Sequence, residues 1–89
     1  MHTNNPFPRY VCFKEVNGGK ITDIRHNSDG GATLTFNELS VPVTVTVDDA
    51  WMVKFKPVVG GYYVIYEDGY TSFSPTHAFE NGYRLKETA

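Results

Sequence analysis

Strict alternation of apolar and polar positions marks the middle of this chain, where Ala32, Leu34 and Phe36 interleave with Thr33, Thr35 and Asn37. A period of two sends successive side chains to opposite faces of a strand, so this stretch predicts a half-buried β-strand. Val41, Val43, Val45 and Val47 repeat the pattern against Pro42, Thr44 and Thr46. Their β-branched side chains favour extended backbone. Pro42 has no N–H to give to a ladder, which places it at a sheet edge or near the start of its strand. Between these two segments and the N-terminus, the dense β-favouring run from Tyr10 to Val16 reads as a strand, Asn17-Gly18-Gly19 as a tight turn, and Lys20 to His26 as the returning strand. Ile21 and Ile24 break the alternation of that last segment and leave room for a bulge. Asn27-Ser28-Asp29-Gly30-Gly31 is a second turn cluster.

Beyond Val47 the period changes. Asp48 or Asp49 can cap a short helix over Ala50 to Phe55 that ends at Pro57, with Trp51 and Phe55 on one face above Val47 and Lys54 and Lys56 near the negative end. A strand is the alternative for the same residues. Tyr62-Tyr63-Val64-Ile65-Tyr66 is apolar on both faces and reads as a central strand, with Glu67-Asp68-Gly69 signalling a type I′ hairpin that returns through Tyr70 to Phe73. Ser74 and Pro75 supply an N-cap and a first helical residue, Ala78 and Phe79 lie in the turn that follows, and Gly82 stands at the C′ position. Tyr83 to Lys86 can add a short final strand.

The expected class is mostly β with a minor α component: a small antiparallel sheet or SH3-like open barrel with one or two short helices. At 89 residues the chain has room for one hydrophobic core, with six Tyr, six Phe and one Trp to supply it. The division expected is a flexible lead-in over 1–8, one compact domain over 9–86 and a frayed end over 87–89. A net charge of −2 gives no general attraction to phosphate backbones or anionic membranes. Cys12, the one cysteine, has no intrachain disulfide partner and suits a reducing compartment. The opening Met1-His2-Thr3-Asn4-Asn5-Pro6 lacks a basic region followed by an apolar run, and no stretch of eighteen apolar residues occurs, so neither secretion nor membrane spanning is expected.

The segment from Trp51 through Lys54, Lys56-Pro57, Gly60-Gly61-Tyr62-Tyr63-Val64 and Tyr66-Glu67-Asp68-Gly69-Tyr70, followed by Ser74-Pro75, Ala78-Phe79-Glu80 and Gly82-Tyr83, resembles a family of small, mostly uncharacterised proteins of tailed phages and prophages. The resemblance covers Trp51 to Lys86 well, and Arg9-Tyr10 and Lys14-Glu15-Val16 more loosely. It implies a phage-encoded accessory protein acting in the cytoplasm of a bacterial host. It assigns no catalytic residue.

Candidate chemistry is sparse. Cys12 with His26 or His77 can be drawn as a thiol and a base, yet a lone cysteine in a strand-like run is ordinarily a small buried hydrophobe. His2, His26, His77 and Cys12 lack the close pairing of zinc ligands. Glu67 and Asp68 are accounted for by turn formation, and neither Gly18-Gly19 nor Gly60-Gly61 opens a phosphate-cradling loop. The reading is thus no enzyme, no metal and no cofactor. Tyr62, Tyr63, Tyr66, Tyr70 and Tyr83, beside Lys54, Lys56 and Arg84, could stack nucleobases, but core packing is the preferred use of those rings. The leading functional expectation is a protein-binding module that presents Tyr63, Tyr66, Asp68 and Tyr70 around the hairpin to a bacterial host or phage protein. Self-association stays open. The alternatives are a nucleic-acid or nucleotide binder that uses stacked tyrosines, and a minor structural component of the virion.

Overall fold

A computed structural model describes residues 5–11, 14–38 and 40–86. The fold is mostly β: two three-stranded antiparallel sheets and two short helices, with no closed barrel among the described residues. Strands β1 (Asn17–Lys20), β5 (Tyr62–Ile65) and β6 (Thr71–Ser74) form one sheet in the order β1-β5-β6. The other is a meander of β2 (Asp23–His26), β3 (Ala32–Phe36) and β4 (Val43–Val47) in the order β2-β3-β4. Helix α1 (Asp49–Phe55) links β4 to β5, and α2 (Thr76–Gly82) follows β6.

Strand β3 follows its sequence pattern closely, whereas β4 starts at Val43, two residues later than its alternation begins, and Val41 and Val43 are exposed. Ala32, Leu34 and Phe36 are buried while Thr33 and Thr35 are only partly covered, and Ile21 and Val47 complete the buried cluster. Pro42 immediately precedes β4, which is an edge strand, so its missing N–H breaks no ladder. The Asp48 carboxylate accepts the Trp51 N–H at 2.9 Å and starts α1 as its N-cap. Lys56, in the left-handed region, closes the helix through its N–H to the Met52 carbonyl, and Pro57 follows. Trp51 and Phe55 share a face as their spacing requires, with ring centroids 4.8 Å apart.

The first strand departs from expectation. Tyr10, Val11 and Lys14–Val16 belong to no strand, and Cys12 lies outside the described residues. Asn17-Gly18-Gly19 is no turn: it is most of β1, paired with β5 in the register Asn17 to Ile65 and Lys20 to Tyr62. The two glycines serve close approach. A Cβ on Gly18 would lie 2.6 Å from the Phe79 ring, and one on Gly19 would lie 2.9 Å from the Phe36 ring. Consecutive residues of a strand face opposite ways, so the pair lets one aromatic seat on each side of the sheet.

The segment Lys20 to His26 is not one strand either. Its backbone turns a corner at Ile21-Thr22: the Ile21 N–H donates to the Gly61 carbonyl at 2.8 Å, whereas the Thr22 N–H donates to the Thr35 carbonyl of the other sheet at 2.8 Å. A strand that changes sheets at a bend is how two sheets join into a corner, and Ile21, almost fully buried, fills it.

The C-terminal elements are shifted from their expected limits. Ser74 ends β6, and its hydroxyl meets the Pro75 carbonyl rather than a helix N–H. Pro75 thus holds the N-cap place of α2 without a side-chain bond, while Gly82 is the last helical residue and the cap falls on Tyr83. Tyr83 to Lys86 form no strand. They run as a tail held by side chains: Tyr83 against Phe79, with centroids 4.7 Å apart, and Lys86 on Glu15 at 2.8 Å.

Candidate functional site

Two Asp-Gly hairpins have the same construction, one in each sheet. Between β5 and β6 the Gly69 N–H donates to the Tyr66 carbonyl at 2.9 Å and the Tyr66 N–H to the Tyr70 carbonyl at 2.8 Å. The Asp68 carboxylate accepts the Tyr70 N–H at 3.0 Å. Gly69 has φ of +91°, but Asp68 does not share a positive φ, so the loop is a three-residue turn with a glycine bulge and not the type I′ turn expected. Asn27 to Gly31 repeats the arrangement, with Asp29 accepting the Gly31 N–H at 2.9 Å and Gly30 also at φ of +91°.

Of the four residues singled out from sequence, the structure brings three together. Tyr66 and Tyr70 stand with ring centroids 5.8 Å apart, and Asp68 pins the backbone between them. Tyr70 is 49% exposed. Its hydroxyl accepts from the Lys54 ammonium at 3.1 Å, which ties the hairpin tip to α1, and Lys54 also lies over the Phe55 ring. The Tyr66 hydroxyl is within hydrogen-bond distance of Ser72 at 3.2 Å. With Lys14, Glu15 and Glu67, these three residues line a shallow open hollow of about 300 Å³.

Tyr63 is elsewhere. Its ring packs between Phe36 and Trp51 at 5.8 and 5.7 Å, on the face of β5 that meets the meander and α1. Three positions separate Tyr63 from Tyr66, an odd number, so alternation turns them to opposite faces. Tyr62 also parts from Tyr63: it stacks on Phe79 of α2 at 4.1 Å. The tyrosines are therefore spread over both faces of the sheet rather than gathered into one stacking platform.

On the α2 side lies a polar cluster that sequence reading missed. The Tyr62 hydroxyl donates to Glu80 at 2.8 Å, and the Lys20 ammonium stands 3.6 Å from the same carboxylate. The Tyr62 hydrogen bond and, after it, the Lys20 charge hold the Glu80 carboxyl below its ordinary range despite some desolvation. The same bond raises the Tyr62 phenol. No spacing rule joins residues 20, 62 and 80; only the β1–β5 register and the seat of α2 do. His26 and His77 occupy exposed positions on β2 and α2, His2 lies outside the described residues, and among the described residues no group of three His, Cys, Asp or Glu side chains gathers as a metal site. No described helix is long and apolar enough to cross a membrane.

The hairpin thus combines one exposed ring, Tyr70, one half-buried ring, Tyr66, phenols engaged by Lys54 and Ser72, and a carboxylate that fixes the turn. No protein-family model matches the sequence, nor does any curated protein. Among solved structures the fold is similar to the monomeric form of the phage L decoration protein, with a TM-score of 0.61 and 26% sequence identity over 93% of this chain. The chain spans 64% of that protein's length.

Proposed function

We propose that this protein is a minor structural component of a phage particle that attaches to the shell from outside, with the phage shell protein as its partner. The observation that carries this reading is the similarity to the phage L decoration protein, which runs through nearly the whole of this chain. The surface chemistry agrees with it. Attachment needs exposed apolar surface on a rigid support, and the hairpin offers the exposed Tyr70 ring beside the half-buried Tyr66, held by Asp68 and by Lys54 from α1. The sequence signature that resembles small phage proteins points to the same source. Binding of a host factor in the bacterial cytoplasm, the expectation first drawn from the sequence, ranks behind this reading because no feature of the hairpin selects a host protein.

The test is to purify particles of the encoding phage by density-gradient centrifugation and quantify this chain against the shell protein by mass spectrometry. A fixed ratio that survives repeated banding is expected. A chain that stays in the cleared lysate and is missing from banded particles overturns the proposal. Capture of one nuclease-resistant host protein in that case restores the host-binding reading.

A further inference from the structure

Among the described residues, the most exposed of the larger apolar side chains lie toward the two ends of the chain. Phe7 is 77% exposed, Tyr10 87%, Val11 77% and, in the tail, Leu85 90%. From residue 5 to residue 11 the arm belongs to no helix or strand, although Tyr10 and Val11 are strand-favouring residues. The Cα radius of gyration, 15.4 Å, exceeds the about 12 Å of a compact chain of this length.

Next to the root of the arm runs an open groove of about 1570 Å³ between β1 on one side and α2 with its tail on the other. Val16, Ile65, Phe79, Tyr83 and Leu85 give it apolar patches among charged side chains, and the exposed Lys86–Glu15 ion pair at 2.8 Å joins two of its lining residues. It is larger than the about 300–1,000 Å³ of a small-molecule pocket, and an edge strand forms one wall. Both features suit an extended peptide laid along β1.

We infer that the Asn5–Val11 arm is an exchange arm, which enters the groove between β1 and the α2 tail of a second copy of this chain while that copy's arm enters the first. Area decides for reciprocity. The three large side chains of one arm expose on the order of 500 Å², so one arm in one groove buries about 1,000 Å² over both surfaces. That falls short of the about 1,200–2,000 Å² of a stable interface, and two arms exchanged about a two-fold axis reach it. Leu85, the most exposed of the large apolar residues, is covered in the exchange because it lines the groove. This inference does not rest on attachment to a particle.

Sedimentation velocity of the full chain over a wide concentration range tests it, with isotope-filtered NOEs on a mixture of labelled and unlabelled chains. The expected results are a dimer and NOEs between the Tyr10 ring of one copy and the Leu85 methyls of the other. Phe7→Ser with Tyr10→Ser, on the arm, and Leu85→Ser alone, in the groove, each raise the dimer dissociation constant at least about tenfold. All these positions are exposed, so the amide spectrum of the sheets stays as in the parent chain. A parent chain that is monomeric throughout overturns the inference, as does a dimer that both variants leave intact or a Tyr10–Leu85 contact within one chain.

Discussion

The two hairpins share one turn and differ in nearly everything around it. Asp29-Gly30 sits where Gly31 is buried against the backbone of Val47 and where the Asp49 carboxylate abuts Gly30. Asp68-Gly69 sits in the open: nothing lies within 4 Å of a Cβ built on Gly69, and of the flanking tyrosines Tyr70 is exposed and Tyr66 half-buried. The sheets differ in the same way. The meander supplies Ala32, Leu34, Phe36 and Val47 to the buried cluster, whereas the β1-β5-β6 sheet has Val64 as its one fully buried side chain among the described residues and otherwise rests on half-buried rings. A turn sequence thus fixes local geometry and says little about whether the loop is scaffold or display; the neighbours decide that.

Substitutions at the heart of each sheet test this contrast most strongly. Leu34→Ala is expected to cost about 3–4 kcal/mol in urea denaturation, since it removes a fully buried side chain from a tightly packed cluster. Val64→Ala loses fewer carbons from a thinner layer and is expected to cost about 2 kcal/mol. Equal costs would mean that the second sheet is as well packed as the first. The matched pair Gly30→Ala and Gly69→Ala comes next. Both place a Cβ at a φ of +91°, for about 1–2 kcal/mol of backbone strain, but only Gly30→Ala also forces the Asp49 carboxylate, 2.5 Å from the new atom, to move. Gly30→Ala should therefore be the more destabilising of the two by thermal melting.

The helices extend the comparison at smaller amplitude. Asp48→Ala removes the side-chain cap of α1 and is expected to cost about 1 kcal/mol, whereas Ser74→Ala before α2 should be close to neutral because Ser74 caps nothing. The mildest effect is one of pH. Glu80 has a folded pKa below its unfolded value, so its contribution to holding α2 is complete above the unfolded pKa and is lost as pH falls through the folded one. Tyr62 is raised in the fold, so its contribution is complete below the unfolded pKa near 10 and is lost as pH rises through the folded value. Phe79 ring resonances should move at both limits while those of Phe36 hold still; joint movement would show that α2 and the meander respond as one unit.

Much of this architecture is legible because it is local. Period-two alternation finds β3 and β4, Asp48 marks the start of α1, and both Asp-Gly turns stand where their residues say. What the sequence hides is set by partners far along the chain. Gly18-Gly19 looks like a turn because the rings that require the absence of a Cβ, Phe79 and Phe36, come from elsewhere in the chain. Tyr10, Val11 and Lys14 to Val16 look like strand residues because propensity alone does not supply a ladder partner. In the candidate site, Tyr66, Asp68 and Tyr70 are legible through their turn, whereas the inward placement of Tyr63 follows from the β1–β5–β6 register and the packing of Trp51.

The corner at Ile21-Thr22 has a consequence in time. On its C-terminal side the ladders close short loops, His26 with Ala32 and Phe36 with Val43, while on its N-terminal side β1 must wait for residues as distant as Ile65. Loop closure and contact order favour an early meander and a late β1, with Leu34 substitutions slowing folding and Val64 substitutions chiefly speeding unfolding in a chevron. Until β1 arrives, the β5–β6 hairpin has an unpaired flank. Nascent chains would be most prone to wrong pairing in that interval, and the glycine-rich strand that ends it is itself an edge strand, with no strand partner on its outer side among the described residues.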